Sequence, residues 1–147
     1  MSGFDESYDW VVIGSGAGSM ASALVMRKAG KSVLIIEKTP FIGGTTAKSG
    51  GVIWVPGNRF MGAEDSAAKG IEYLDAVCED LPGSSHKKRL AYVTEAAKMI
   101  DFLVDQGIAL ERGSKFWPDY YDDAPGGCAT SRTVTAKPFN KKELGKW

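Results

Sequence analysis

Residues 11–54 read VVIGSGAGSMASALVMRKAGKSVLIIEKTPFIGGTTAKSGGVIW, with one glycine cluster after the first strand of a strand–helix–strand pattern and a second beyond its end. The apolar run at 11–13 is of the buried parallel-strand kind and ends on Gly14. SMASALVMRKAG follows, with Ala21, Leu24 and Val25 at helical spacing and Gly30 as a stop signal. KSVLIIEK predicts a second strand. Strand, glycine turn, helix and strand in that order make a βαβ unit with a right-handed crossover, so the fold class is α/β and Rossmann-like.

The first cluster is Gly14-Ser15-Gly16-Ala17-Gly18-Ser19. Against the dinucleotide fingerprint G-x-G-x-x-G, Gly14 and Gly16 fit and Ser19 holds the third place. Gly14 would make the tight turn. Gly16 would let the backbone approach a pyrophosphate at a helix N-terminus, where free N–H groups and the helix dipole favour anions. Ser19 is small enough for helix-on-strand packing. Glu37, followed by Lys38, ends the second strand and can accept hydrogen bonds from an adenosine ribose. A carboxylate there repels a 2′-phosphate, which disfavours the phosphorylated nicotinamide cofactor and leaves FAD or NAD.

Beyond this unit, residues 40–62 predict an irregular glycine-rich run. Asp65 or Ser66 would cap a helix reaching about Cys78, with Ile71, Leu74 and Val77 on one face. LPGSSH breaks the chain, and a longer helix is predicted from about Ser85 to Gln106, closed by Gly107. Its inward residues would be Leu90, Val93, Ala97, Ile100 and Val104. IALERG, FWPDYYDDAPGG and TSRTVTAKPF read as short strands and loops. The expected organisation is therefore 1–62 for the βαβ unit and glycine-rich loop, 63–107 for a helical segment and 108–147 for strands and loops.

Composition excludes several function classes. Lys plus Arg and Asp plus Glu are 18 each, so nothing favours a nucleic-acid partner. Cys78 and Cys128 lie fifty residues apart, outside zinc, redox-pair or disulfide spacings. His86 is the single histidine, which leaves little material for a metal site or a Ser-His-Asp triad, and its polar surroundings suggest a surface position. The acidic N-terminus is unlike a signal peptide, and the apolar stretches are of strand length, so a cytoplasmic protein without a transmembrane segment is expected.

The second cluster, FIGGTTAKSGGVIW at 41–54, closely resembles the segment after the second strand in flavoproteins of the fumarate reductase, succinate dehydrogenase and 3-ketosteroid dehydrogenase superfamily. The resemblance implies FAD, a longer cofactor whose flavin half extends past the pyrophosphate. Gly43, Gly44, Gly50 and Gly51 would let backbone N–H groups pack against it, and Thr45, Thr46 and Ser49 would supply hydroxyls. In succinate dehydrogenase-type members this loop carries a histidine bonded to the flavin. That place is Gly44 here, so the resemblance implies non-covalent FAD.

GGTTAKSGGVIWVPGN and WPDYYDDAPGGCATSRTVTAKPFNKKELG look most like the 3-ketosteroid dehydrogenase branch. There a tyrosine of the W-P-D-Y core supports a second tyrosine that takes a proton from substrate. The matching residue is Tyr120, with Tyr121 as the alternative register. Members of this family run several times longer, adding a substrate-capping domain and a C-terminal flavin-covering segment. The resemblance therefore implies the N-terminal part of an FAD-binding domain, inactive on its own, that pairs with a further segment or a second chain. The implied chemistry is dehydrogenation of a 3-ketosteroid or similar cyclic ketone. A fumarate reductase-like flavoprotein and a non-catalytic FAD-binding fragment are the alternatives.

Overall fold

In the computed structural model, Gly3 and residues 5–146 are described. They form two compact units, divided between Gly51 and Val52. The first is the βαβ unit. Strand β1 (Trp10–Ile13) pairs in parallel with β2 (Val33–Ile36), and helix α1 (Ala17–Lys28) connects them. Gly30 follows the helix at φ +78°, the left-handed conformation that ends helices and that a Cβ would strain. A five-residue helix, α2 (Gly44–Lys48), lies in the run expected to be irregular, entered through Gly43 at φ +108°.

Burial corrects the sequence expectation for this unit. The first strand was expected to be buried, yet Ile13 is 85% exposed and Val11 is also exposed, as is Ile36 of β2. A two-stranded sheet covered by a single helix leaves much of its apolar surface uncovered. On α1 the buried residue is Ala23, while Val25 is exposed.

The second unit joins strands β3 (Ile53–Trp54), β4 (Leu110–Arg112) and β5 (Thr133–Ala136) to helices α3 (Ala67–Val77) and α4 (His86–Asp105). The sheet is antiparallel in the order β3-β5-β4, with Ile53 opposite Val134 and Arg112 also opposite Val134. Val55, Ala96, Ile100 and Val134 form the core, flanked by Ile53, Phe60, Ala97, Met99, Val104 and Leu110. Ser66, not Asp65, caps α3: its hydroxyl accepts the Lys69 N–H at 3.2 Å. The α3 face buries Gly70 and Tyr73 more deeply than Ile71, Leu74 and Val77.

Helix α4 keeps its expected limits, with Ser85 at the N-cap and Gln106 at the C-cap. Its inward stripe is Arg89, Val93, Ala96 and Ile100, at steps of four, three and four residues. Ala97 and Val104 lie on the margin of that stripe, and Leu90 is exposed, contrary to expectation. Arg89 enters the stripe because its guanidinium bonds Asp75 Oδ1 at 2.9 Å, the Glu79 carbonyl at 3.3 Å and the Ser84 carbonyl.

Candidate functional site

In the first unit the two glycine clusters meet. Gly14 turns the chain at φ +90° and donates its N–H to the Ile36 carbonyl at 2.6 Å. Gly16 is the N-cap of α1 at φ −67°, a conformation open to any residue. A Cβ built on it would touch only the Thr46 hydroxyl, at 3.7 Å. The Thr46 hydroxyl also accepts the Ala17 N–H at 3.1 Å. A Cβ built on Gly44, itself at φ +53°, would stand 3.8 Å from Gly16 Cα. The N–H groups of Gly16, Gly18 and Ser19 have no protein acceptor among the described residues. An open backbone cradle with free donors at the start of a twelve-residue helix suits a pyrophosphate.

Ser15 and Glu37 hold this arrangement together. Ser15 is buried, with 3% of its surface exposed. Its N–H and hydroxyl both donate to Glu37 Oε2, at 3.0 and 2.5 Å. The same hydroxyl accepts the Gly43 N–H at 2.8 Å. Glu37 Oε1 accepts from the Thr39 N–H at 3.0 Å and lies 3.3 Å from the Thr39 hydroxyl, which also reaches the Phe41 carbonyl at 2.9 Å. These donors, the Ser15 hydroxyl foremost and the Thr39 N–H next, hold the Glu37 carboxyl at a pKa of about 2. The Thr39 hydroxyl has one proton to give. When it serves Phe41, Oε1 keeps a lone pair for an incoming hydroxyl.

The remaining loop residues expected at the site, Lys38, Thr45, Ser49, Gly50 and Gly51, are all exposed. Ser49 closes α2: its hydroxyl donates to the Thr46 carbonyl at 2.8 Å and accepts the Gly51 N–H at 3.1 Å.

The second unit carries the WPDYY loop. Tyr120 is 99% exposed and Tyr121 is exposed as well. The backbone on either side of Tyr120 is pinned. Asp119 exchanges two bonds with Cys128: its N–H donates to the Cys128 carbonyl at 3.0 Å, and its Oδ2 accepts the Cys128 N–H at 3.1 Å. The Tyr121 N–H donates to the Tyr73 hydroxyl at 3.3 Å. Burial raises the Tyr73 pKa, so that phenol stays neutral and available as an acceptor. Asp119 Oδ1 also accepts the Trp54 indole N–H at 2.7 Å.

Beneath the loop lies an ion cluster that sequence reasoning missed. The Arg132 side chain is 1% exposed, its Nε 3.2 Å from Asp119 Oδ2 and its Nη1 3.6 Å from Asp65 Oδ1. Its Nη2 donates to the Gly126 carbonyl at 2.7 Å. The guanidinium lies 5.4 Å from the Trp54 ring centre and 5.7 Å from that of Tyr73, within cation–π range of both. An arginine just before the alternating TVTA strand was the available signal, since a charge at a strand entry needs a partner if it is buried.

Trp54 stacks on Tyr92, with ring centres 6.2 Å apart, and acts as a packing residue. Neither cysteine is in a disulfide, and no metal-binding cluster occurs among the described residues. No helix among them is long and apolar enough to cross a membrane.

Residues 9–146 match the family described as FAD binding domain. The chain belongs to that family, and its cofactor is FAD. The FAD-binding chain is 35% identical over 143 residues to a 3-oxosteroid 1-dehydrogenase of Mycolicibacterium smegmatis, covering 95% of this chain and 25% of that protein. It is 38% identical over 143 residues to a 4-oxocyclohexanecarboxylate 2-dehydrogenase of Sinomonas cyclohexanicum, covering 94% of this chain and 24% of that protein. Among solved structures it resembles the 3-ketosteroid delta1-dehydrogenase of Sterolibacterium denitrificans in complex with 1,4-androstadiene-3,17-dione. The TM-score is 0.81 at 36% identity, over 95% of this chain and 25% of that one. The chain thus spans about a quarter of the length of the relatives it matches.

Proposed function

We propose that this chain forms the cofactor-binding N-terminal part of a dehydrogenase that introduces a carbon–carbon double bond beside the carbonyl of a cyclic ketone. The observation that carries this reading is the similarity, over 94–95% of the chain, to dehydrogenases named for a 3-oxosteroid and for a 4-oxocyclohexanecarboxylate. The chemistry common to those two names is a ring ketone with hydrogens on the two neighbouring carbons. A base removes the proton next to the carbonyl, the adjacent carbon gives up hydride, and a conjugated double bond forms. FAD supplies the two-electron acceptor.

In this reading the free N–H groups of Gly16, Gly18 and Ser19 hold the pyrophosphate, and Glu37 Oε1 takes a ribose hydroxyl. Gly43, Gly44, Gly50 and Gly51, with Thr45, Thr46 and Ser49, face the flavin half. Lys38, exposed beside Glu37, lies toward the adenosine. Gly44 stands where a histidine would carry a covalent link, so the cofactor is held without one. The deciding experiment is anaerobic titration of the full-length flavoprotein with a 3-ketosteroid and, separately, with 4-oxocyclohexanecarboxylate. Bleaching of the flavin by one of them, with yellow colour released on acid precipitation, is the expected result. A flavin that stays oxidised with both sinks the ketone reading, and colour kept in the pellet sinks the non-covalent one.

Tyr120 is the one residue of the chain proposed for the proton-transfer step. A phenol is a poor base at neutral pH, and a second phenol that donates a hydrogen bond to it stabilises its ionised form. Tyr120→Phe in the full-length enzyme is expected to lower kcat by roughly 10–100-fold, at or below the lower end of general-base effects. KM and the flavin spectrum should change little. Full turnover in Tyr120→Phe with loss in Tyr121→Phe would move the role by one residue. Full activity in both would remove it from this loop.

A further inference from the structure

We propose that Ser15 is a positioning residue that locks the two glycine clusters into one cofactor cradle before FAD arrives, and that it is not itself a ligand of the cofactor. The inference rests on the FAD reading of the first unit and assigns Ser15 a role different from direct contact. A serine hydroxyl has one proton and two lone pairs. Here the proton goes to Glu37 Oε2 at 2.5 Å, and a lone pair takes the Gly43 N–H at 2.8 Å. The Ser15 N–H is engaged as well, 3.0 Å from the same carboxylate oxygen. With 3% of the residue exposed, neither donor can turn to a phosphate without breaking its part-buried hydrogen bond to the Glu37 carboxylate.

Those bonds tie three segments of separate sequence origin. Ser15 sits in the turn after β1, Glu37 just past β2, and Gly43 at the entrance of α2. Gly43 is held there at φ +108°, where a Cβ would lie 2.6 Å from Ala47 Cβ, so the entrance tolerates little variation. Its fixed geometry sets the start of α2, and α2 carries Thr46 to the Ala17 N–H at 3.1 Å. The flavin-side loop is thereby registered against the pyrophosphate-side turn. A preset cradle reduces the ordering that binding must otherwise accomplish.

No ion pair involves Glu37 among the described residues, and the causes of its low pKa are the Ser15 and Thr39 donors alone, opposed by burial. A depressed carboxyl stabilises the fold above its unfolded pKa, near 4.5, and that contribution is lost as pH falls through about 2. Removing the Ser15 hydroxyl brings the Glu37 value up and moves the loss to higher pH.

The test is Ser15→Ala in the full-length protein, in three measurements. FAD affinity is expected to fall about tenfold or more, the effect of losing a hydrogen bond to a charged group. The pH at which FAD dissociates on acidification is expected to rise, because Glu37 protonates sooner. In the apoprotein, trypsin is expected to cut after Lys38 or Lys48 faster than in wild type, because the loop has lost its tie. A direct ligand role predicts weaker binding with the acid limb and apoprotein cleavage unchanged, and that result overturns the proposal. So does unchanged affinity. The apoprotein cleavage needs no cofactor, so it reports on the lock even if the full-length protein binds no FAD, the outcome that would refute the cofactor reading instead.

Discussion

Gly16→Val is expected to give a folded protein that purifies without flavin. Gly16 has φ −67°, and a Cβ there meets only the Thr46 hydroxyl at 3.7 Å, so the chain itself accommodates a side chain. The space a valine would fill is the one the pyrophosphate needs in order to reach the N–H groups at the start of α1. Overpacking of a closely fitted site disfavours it by about 1–3 kcal/mol, and occasionally more. A rise in FAD Kd of roughly 100-fold corresponds to the upper end of that range. Thermal unfolding of the apoprotein should stay near the wild-type midpoint. Normal flavin content in a folded Gly16→Val protein would place the pyrophosphate elsewhere. The same reasoning does not extend to Gly14, where φ +90° strains any side chain and fold and binding would fail together.

Arg132→Ala is expected to destabilise the second unit by about 3–5 kcal/mol, the usual consequence of removing one member of a buried ion cluster. The deletion leaves the Asp65 and Asp119 side chains, 1% and 2% exposed, without their cation. It also removes the donor to the Gly126 carbonyl and the cation between the Trp54 and Tyr73 rings. Urea unfolding monitored by tryptophan fluorescence reads this directly, because Trp54 packs against the guanidinium. Arg132→Met combined with Asp119→Asn should recover part of the loss, since neutralising Asp119 removes one of the two carboxylates left without a cation, while Asp65 remains. A loss below about 1 kcal/mol for Arg132→Ala would mean that the cluster contributes no more than a surface pair. Asp119 precedes Tyr120, so loosening the cluster should also blur the placement of the exposed phenol. If Tyr120 has the role proposed for it, kcat of the full-length protein should then fall in Arg132→Ala even at temperatures where the protein stays folded.

The residues whose roles depend on near neighbours were legible in the sequence. The βαβ order, the turn at Gly14, the stop at Gly30, and the limits of α4 between Ser85 and Gln106 all follow from caps, glycines and apolar spacing within a few residues of the feature itself. The family was legible too, because the glycine loop at 41–54 and the WPDYY segment are contiguous motifs. What the tertiary structure decided involves groups far apart in the chain. Pairing Ile53 with Val134 makes an antiparallel sheet from strands about eighty residues apart, and no local propensity encodes that register. Arg89 displaced Leu90 from the inward stripe of α4 because Asp75 and two carbonyls were there to receive it. Ser15 became a tie and Glu37 a strongly ionised carboxylate through hydrogen bonds spanning 22 and 28 positions. Arg132 could be buried only where Asp119, Asp65 and two aromatic rings converge. Periodicity and capping act over one helical turn, whereas desolvating a charge is favourable only when partners from distant segments meet it in the folded chain.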